Sequence, residues 1–438
     1  MSDKIKIFTI GDHPLSPSGV GTQTRYMIES LLATGRYEFV SFGGAVSHPN
    51  HAPQTTKEWG PDWIIWPVDG YGNPDMVRAM IYQQKPDILW FMTDPRFYQW
   101  LWAIENEIRS VVPMVYYHVW DNYPYPHFNG IFYTCNDHVA CISKLTHDIV
   151  KTVSPKIESS YIPHAVDAEV FKPADPKNVA VFKAQRFGVE NVDKFLFFWN
   201  SRNARRKQSG SLIYWFKDFL DKVGHDKAAL IMHTDPKDEY GQDLESIIQQ
   251  LGLTHGEVLF STAKVSNEDL AMVYNMVDCT MGISDAEGFG LSTLESMACG
   301  TPIIVTTTGG LQQQVTKLDE VTHDFTLERN NTSDRVKEYE FGIGLIPASQ
   351  AIIGSQQVPY IYEDRLNGGD VVEAMLRMYN MDPADRAAMG QRGLQHTQEE
   401  YNFDDFIERW DNLFMHLHDT CGSWGTRKNF KPYGVEVF

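Results

Sequence analysis

The chain has 438 residues, which exceeds one ordinary domain, and 42% of them are hydrophobic. This is enough material for two cores, so we expect two α/β domains of roughly 150 to 200 residues each. The formal net charge of −19 is unfavourable for a general nucleic-acid binder or for a protein of anionic membrane surfaces.

Cysteine usage and hydropathy predict the compartment. The five cysteines are scattered and form no C-x-x-C pair, which favours free thiols in a reducing environment. No run is apolar enough to span a membrane, and Lys4 and Lys6 interrupt the first apolar stretch, so a signal peptide is not expected. We therefore predict a cytoplasmic protein.

The first half of the chain alternates strand and helix patterns. A strand at residues 4–10 leads through a Gly/Pro/Ser loop into a helix that Gly19 and Gly21 open. A dinucleotide fingerprint fails here because Thr24 occupies the third glycine position. Further strands are predicted at residues 39–42, 63–68, 87–92 and 114–118, with a helix at 74–84. This alternation predicts a parallel sheet with helices on both faces.

His118 lies at the carboxyl end of one of these strands, where open α/β sheets bind ligands. A single histidine there is also typical of a hydrogen-bonded structural residue, and both interpretations stay open. The aromatic run at residues 120–128 either lines an acceptor surface or packs in the core.

A second α/β pattern begins after a proline-containing stretch. Residues 171–193 are predicted to be a linker, and a new strand begins at residue 195. The basic segment 201–207 follows that strand and includes Arg202 and Lys207. Two cations at the end of a strand suit a diphosphate group, and the alternative is a solvated basic loop.

The most informative stretch is residues 284–310. Gly288 and Gly290 leave their peptide groups unscreened at the start of a short helix, where backbone N–H groups bind phosphate or sugar oxygens. Glu287 would repel phosphate, so its natural targets are hydroxyl groups or a developing positive charge. Ser292 and Glu295 spell S-x-x-E, so Glu295 has the alternative role of closing a capping box.

These residues carry a resemblance to a known family. Glu287 and Glu295 are separated by seven intervening residues in E-G-F-G-L-S-T-L-E, followed by S-M-A-C-G-T-P-I-I-V. This segment resembles the E-x7-E signature of retaining glycosyltransferase family 4, which has the GT-B fold. The resemblance extends over about residues 5–415, is strongest in 195–310, and includes an R-x4-K pair at Arg202 and Lys207.

The resemblance implies two Rossmann-like, doubly wound domains that face a cleft. The expected boundaries are residues 1–170 for an acceptor-side domain, 194–400 for a donor-binding domain, and 401–438 for a helix that crosses back to the first domain, with a tail. One element departs from the family: His164 and Ala165 replace the usual Asn-Gly, so that turn must avoid positive φ or tolerate strain. An insertion at about residues 318–360 either shapes acceptor specificity or decorates the surface.

The resemblance also implies the roles of the site residues. Glu287 and His118 are the expected catalytic residues, with His118 reaching the hydroxyls of the donor sugar and Glu295 binding the donor ribose. The residues expected to bind the donor are Gly19, Gly21, Arg202, Lys207, Gly288, Phe289, Gly290, Leu291, Ser292 and Glu295.

The expected reaction moves a sugar from a nucleoside-diphosphate sugar to a hydroxyl acceptor with retention of configuration. No cofactor or metal is expected, because the chain has neither a D-x-D motif of the metal-dependent kind nor a His/Cys cluster with ligand spacing. An epimerase or phosphorylase of the same fold and a non-enzymatic sugar-nucleotide binder are the alternatives. The acceptor, the sugar and the nucleotide base stay open.

Overall fold

The computed structural model describes residues 4–318 and 334–433. The chain divides into two compact units. The first unit comprises Met1–Ala165, Gly354–Tyr360 and Phe403–Phe438, and the second comprises Val166–Ile353 and Ile361–Asn402. None of the helices in the described ranges is long and apolar enough to cross a membrane.

The first unit is built on an eight-stranded sheet. All neighbouring strands are parallel except the short edge strand Gln54–Thr55, which pairs antiparallel with its neighbour. Across the sheet the strands follow the order Gln54–Thr55, Trp63–Pro67, Tyr37–Gly44, Ile5–Asp12, Ile88–Met92, Met114–His118, His138–Cys141 and Ser159–Tyr161. The α-helices are Gly19–Ala33, Pro74–Gln84, Gln99–Trp102, Glu105–Arg109, Gly130–Thr134, Lys144–Val153 and Phe403–Cys421.

The predicted alternation in this unit is confirmed. The strand Met114–His118 and the helix Pro74–Gln84 have the predicted bounds. Burial explains why the central strands have nearly continuous apolar runs: every residue of Ile88–Met92 is buried, as expected for a parallel sheet covered on both faces. The turn at His164 and Ala165 avoids positive φ, and the backbone of Ala165 is held by both ends of the Gln23 amide.

The helix Phe403–Cys421 belongs to the first unit although it is distant in sequence. Trp410 is fully buried, and its ring contacts Trp90 and Tyr117 with ring centroids 5.9 and 4.9 Å apart. Asp411 accepts a hydrogen bond of 2.6 Å from the Tyr37 hydroxyl. Large aromatic contacts of this kind contribute substantially to a core, which explains why the helix packs here.

Trp424 and Arg427, which follow this helix, contact other residues of the first unit. Arg427 contacts Asp137 at 2.7 Å, and Asp137 also pairs with the buried Arg109 at 3.1 Å. The Trp424 indole donates to the carbonyl of Pro86. A buried ion cluster is costly to break because one removed partner leaves an uncompensated charge, so these contacts fix the tail in place.

The second unit contains a seven-stranded sheet. Its strands are parallel except Val336–Glu338, which pairs antiparallel at the edge. Their order is Val258–Ser261, Ala228–His233, Phe195–Asn200, Cys279–Gly282, Ile303–Thr306, Gly342–Leu345 and Val336–Glu338. The α-helices are Pro176–Phe187, Ser209–Val223, Leu244–Leu251, Asn267–Met276, Leu291–Ala298, Gln312–Val315, Gly368–Asn380 and Pro383–Glu400.

Two predicted segments have more structure than a linker or a loop. Residues 171–193 contain the helix Pro176–Phe187, which Asp175 caps and which packs beside the helix Asn267–Met276. Ser349–Ile353, in the predicted insertion, pairs as an antiparallel hairpin with Ile361–Arg365, which follows the insertion. The Asn-Asn-Thr sequence of this insertion, at residues 330–332, lies outside the described residues.

Candidate functional site

The strand order of the second unit defines where a ligand site is expected. The next two strands along the chain, Ala228–His233 and Val258–Ser261, lie on one side of the strand Phe195–Asn200. The later strand Cys279–Gly282 pairs with its other side. The point between these two strands is therefore a topological switch point, and open α/β sheets bind ligands at the carboxyl ends of the strands there. The loops that leave these two strands are the basic segment 201–208 and the glycine-containing segment 283–290.

Arg206, rather than Arg202, is the arginine of the basic segment that lies beside Glu287. Arg202 is turned to Asp238, with Nε to Oδ2 at 2.7 Å, and its guanidinium lies over the Tyr240 ring. Arg206 instead lies beside Glu287, with Nη1 3.6 Å from Oε2, and it donates to the carbonyl of Ala286. Arg206 was not singled out from the sequence, and donor binding by Arg202 stays a prediction.

Lys207 and Glu287 form an ion pair between the two loops. The Lys207 Nζ contacts Glu287 Oε2, and both side chains are mostly buried, with 14% and 17% of their surface exposed. The 3-10 turn Arg205–Lys207 and the backbone hydrogen bond from Asp285 N to Arg206 O hold the loops together. Two residues predicted to bind opposite ends of one ligand are therefore neighbours.

The glycine-containing segment depends on the backbone conformation of Gly290 and on the close packing of Gly310 against its backbone. Gly290 has φ of +90°, a conformation that disfavours any residue with a Cβ. The amide of Gly310 donates to the carbonyl of Glu287 at 3.0 Å, and a Cβ on Gly310 would stand 2.4 Å from Gly288 O. The Gln314 side-chain amide donates to the carbonyls of Phe289 and Gly290. Residues 310–314 therefore support this loop by donating hydrogen bonds to its carbonyl groups.

The helix Leu291–Ala298 begins at this loop. Its N-cap is Gly290, which has no side chain to satisfy the amides of the first turn, including those of Leu291 and Ser292. These amides have no carbonyl partner within the helix and are the type of donor that binds anions. Phe289 has another role, since its ring is buried against Tyr401 with ring centroids 5.6 Å apart.

Glu295 does not close a capping box. The helix begins at Leu291, so Ser292 is not its N-cap, and the Glu295 carboxylate accepts a hydrogen bond of 2.8 Å from the Tyr274 hydroxyl. Asn200 donates to the same hydroxyl at 2.9 Å. Among the described residues none donates to the second carboxylate oxygen, Oε1, which leaves it for a ligand hydroxyl. Burial raises the pKa of Glu295 to about 7.

Behind the site lies a cluster of four charged residues that the sequence analysis did not predict. Asp285 and Glu363 are buried carboxylates, and Arg205 and Arg365 each approach both of them. Sequence signals existed, because Arg205 belongs to the basic run and Asp285 precedes Glu287 by two residues. The partner on the hairpin, Glu363, depends on a long-range contact that no local pattern contains.

His118, in the first unit, is enclosed. Its side chain is fully buried, Nδ1 lies 3.0 Å from the Tyr116 hydroxyl, and Nε2 lies 2.7 Å from the Tyr133 hydroxyl. Because Tyr116 donates its only proton to the carbonyl of Thr93, its oxygen accepts from Nδ1–H, and Nε2 then accepts from Tyr133. Burial lowers the pKa of His118 to about 3, consistent with this neutral form. Both ring nitrogens are engaged within the protein, so the geometry matches the structural interpretation, and a contact with the donor sugar stays a prediction.

Gly19 and Gly21 lie in the first turn of the helix Gly19–Ala33. The amide of Gly21 donates to the side chain of the N-cap residue Ser18 at 3.0 Å, and a Cβ on Gly21 would stand 2.6 Å from His13 O. Packing thus accounts for Gly21, whose amide is already used. Gly19 is exposed. The contact of either glycine with a diphosphate stays a prediction.

Within residues 4–318 and 334–433, no three His, Cys, Asp or Glu side chains are arranged to hold a metal ion. The five cysteines form no disulfide, and four of them are buried.

Comparisons with known proteins agree with the fold. The family model described as Glycosyl transferases group 1 matches residues 182–338. An alpha-monoglucosyldiacylglycerol synthase from Streptococcus pneumoniae is 28% identical over 169 residues, which are 38% of this chain and 37% of that protein. The match therefore spans little more than a third of that relative.

Two solved structures are similar over most of the chain. A sucrose-phosphate synthase from Thermosynechococcus elongatus superposes with a TM-score of 0.71 and 16% identity, covering 95% of this chain and all of that one. HepE from Anabaena, in complex with UDP and glucose, superposes with a TM-score of 0.63 and 13% identity, covering 94% of this chain and all of that one. At these identities the likeness concerns the fold.

Proposed function

We propose that this chain, which matches the group 1 glycosyl transferase model over residues 182–338 and is similar in fold to GT-B glycosyltransferases, transfers a sugar from a nucleoside-diphosphate sugar to a hydroxyl acceptor. The transfer retains the anomeric configuration and needs no metal ion. The carboxyl edge of the second unit binds the donor.

The observation that carries this proposal is the pairing of Lys207 with Glu287 at the switch point. A diphosphate needs cations, and Lys207 and Arg206 supply them beside the first-turn amides of the helix Leu291–Ala298. The sugar needs acceptors for its hydroxyls, and Glu287 supplies a carboxylate next to those cations. Few ligands other than a sugar diphosphate present both groups so close together.

The charges at the site suit the expected transition state. Positive charge develops on the sugar ring while negative charge develops on the leaving diphosphate. Lys207, Arg206 and the backbone amides stabilise the leaving group, and Glu287 holds the sugar hydroxyls and stabilises the positive ring. Glu295, fixed by Tyr274, accepts from a ribose hydroxyl through Oε1.

The step balances without a further reactant. The bond between the anomeric carbon and the phosphate oxygen breaks, and its electron pair leaves with the diphosphate. The acceptor oxygen bonds to the anomeric carbon on the same face. Its proton passes to an oxygen of the leaving diphosphate, so no separate general base and no metal are required.

The test is a nucleotide-release assay with a panel of UDP-, GDP- and ADP-sugars, without added acceptor and with EDTA. UDP-glucose is the first donor to try, because HepE was solved with UDP and glucose. The wild type is compared with Glu287→Ala and with Glu373→Ala, a control that removes an exposed carboxylate paired to Arg377.

We expect slow release from one donor, unchanged by EDTA and by Glu373→Ala, and reduced at least about a hundred-fold by Glu287→Ala. Loss of release with EDTA would overturn metal independence. Release that survives in Glu287→Ala would overturn the assignment of the site, and no release from any donor would overturn the proposed activity.

A further inference from the structure

The hairpin formed by Ser349–Ile353 and Ile361–Arg365 supplies two members of a closed ring of charges. Arg205 Nη1 contacts Glu363 Oε2 at 2.9 Å, and Arg365 Nη2 contacts the same oxygen at 2.6 Å. Arg365 Nη1 contacts Asp285 Oδ2, and Arg205 Nη1 lies 3.9 Å from that oxygen. The signs therefore alternate around the ring: Arg205, Glu363, Arg365, Asp285.

The ring differs from an ordinary surface ion pair. Exposed pairs contribute little because water screens them and their side chains lose entropy. Here the two carboxylates are almost inaccessible, with 2% of the Asp285 side chain and 4% of the Glu363 side chain exposed. Removal of one cationic partner would leave a buried charge uncompensated, which is strongly unfavourable.

The position of the ring connects it to the donor site. Arg205 precedes Lys207 by two residues in the 3-10 turn Arg205–Lys207, and Asp285 precedes Glu287 by two residues. The backbone of Asp285 is also fixed on both sides, since its amide donates to Arg206 O and its carbonyl accepts from Asp364 N. One ring thus holds both loops that carry the Lys207 and Glu287 pair.

We propose that Glu363 and Arg365 of the hairpin are positioning residues for sugar transfer, acting through Arg205 and Asp285 to set the spacing of Lys207 and Glu287. This inference rests on the proposed function. Neither residue contacts the ligand itself.

If Glu363 and Arg365 position the site, their substitution should lower the release rate more than it weakens nucleotide binding. A small displacement of Glu287 weakens contacts that matter most in the transition state, whereas binding of a diphosphate in the ground state tolerates it better. Glu363→Gln, which removes the charge with little change of shape, is expected to lower nucleotide release about ten-fold per folded molecule. The dissociation constant for UDP, GDP or ADP is expected to change less than about three-fold.

The control is Asp370→Asn, which breaks a similar partly buried pair with Arg335 at 2.6 Å elsewhere in the second unit. Both variants are expected to lower the melting temperature, but only Glu363→Gln should lower the release rate of folded protein. If Glu363→Gln fails to fold, Arg365→Gln replaces it, since the Arg365 side chain is about one-third exposed.

The outcomes separate the two claims. If the wild type releases nucleotide and Glu363→Gln releases it at the same rate per folded molecule, the positioning role is wrong and the proposed function stands. If the wild type releases none, the proposed function fails first. Equal losses of rate in Glu363→Gln and Asp370→Asn would also overturn the inference, because they would show a general effect of stability.

Discussion

The carboxyl edges of the two parallel sheets differ in how their polar groups are satisfied. In the first unit, His118 uses both ring nitrogens on tyrosine hydroxyls, and the amide of Gly21 is capped by Ser18. In the second unit, Glu295 keeps one carboxylate oxygen without a donor among the described residues. The first-turn amides of the helix Leu291–Ala298 have no side-chain cap. Groups that the protein itself does not satisfy are those that a ligand can satisfy.

This difference agrees with the distribution of the family resemblance, which is strongest in residues 195–310. We therefore expect donor binding to depend mainly on the second unit. Of the residues of the first unit that the resemblance selected, Gly21 and His118 are engaged in internal hydrogen bonds, and Gly19 is exposed. The following predictions test whether this contrast between the units holds.

The largest of these effects concerns Glu295. Its pKa of about 7 means that near neutral pH only about half of the molecules carry the ionised carboxylate. If the ionised form binds the ribose, affinity for the active nucleotide should rise about ten-fold from pH 6 to pH 8. Glu295→Gln should bind the nucleotide weakly, with an affinity that does not change with pH. Titration calorimetry between pH 6 and pH 8 measures the affinities of the wild type and the variant. A wild-type affinity that does not change with pH would contradict ribose binding by ionised Glu295.

Stability should change in the opposite direction with pH. The pKa of Glu295 is raised above its ordinary value of 4.5, so the folded state binds the proton more tightly than the unfolded state does. This contribution to stability is complete below about pH 4.5 and is lost as the pH rises through about 7. Denaturant unfolding of the wild type and Glu295→Gln at several pH values isolates the contribution of this residue.

A smaller effect should separate two arginines of the basic segment. Arg206→Ala removes a cation next to Glu287 and should weaken nucleotide binding about five-fold. Arg202→Ala removes an exposed partner of Asp238, and such pairs contribute little, so binding should stay within about two-fold of the wild type. The reverse order of effects would restore the R-x4-K assignment of Arg202.

Substitution of His118 is expected to have the smallest effect on nucleotide affinity and on the release rate. His118→Gln should leave nucleotide affinity and the release rate of folded protein unchanged, because both ring nitrogens are bound within the first unit. It should lower the free energy of unfolding by about 1–3 kcal/mol, because buried hydroxyls lose partners. A large loss of release rate with unchanged stability would instead confirm the role that the family resemblance implies.

Much of the fold could be predicted from local patterns. The helix Pro74–Gln84 has the predicted bounds because it has an Asn cap and proline at its first position. The parallel sheets followed from alternation. The helix Pro176–Phe187 was missed because it has no buried residues and hence no clear apolar stripe.

The candidate site could be predicted only in part. Glu287, Lys207 and Glu295 were found because their spacing in sequence is distinctive, and the structure brings Glu287 and Lys207 into contact. The pairing of Arg202 with Asp238 joins residues that lie 36 positions apart in sequence. The ring around Glu363 depends on a contact between residues 158 positions apart. Such pairings follow from tertiary packing, which a local motif does not encode.

The most direct test of the central claim is the affinity of the second unit's site for nucleotide. UDP, GDP and ADP are titrated calorimetrically into wild type, Lys207→Ala and Glu287→Ala. Lys207→Ala should weaken binding of the preferred nucleotide about ten-fold or more, whereas Glu287→Ala should bind it as tightly as the wild type or more tightly, because a carboxylate that competes for Lys207 is gone. Wild-type affinity in Lys207→Ala would contradict the placement of the diphosphate beside this pair.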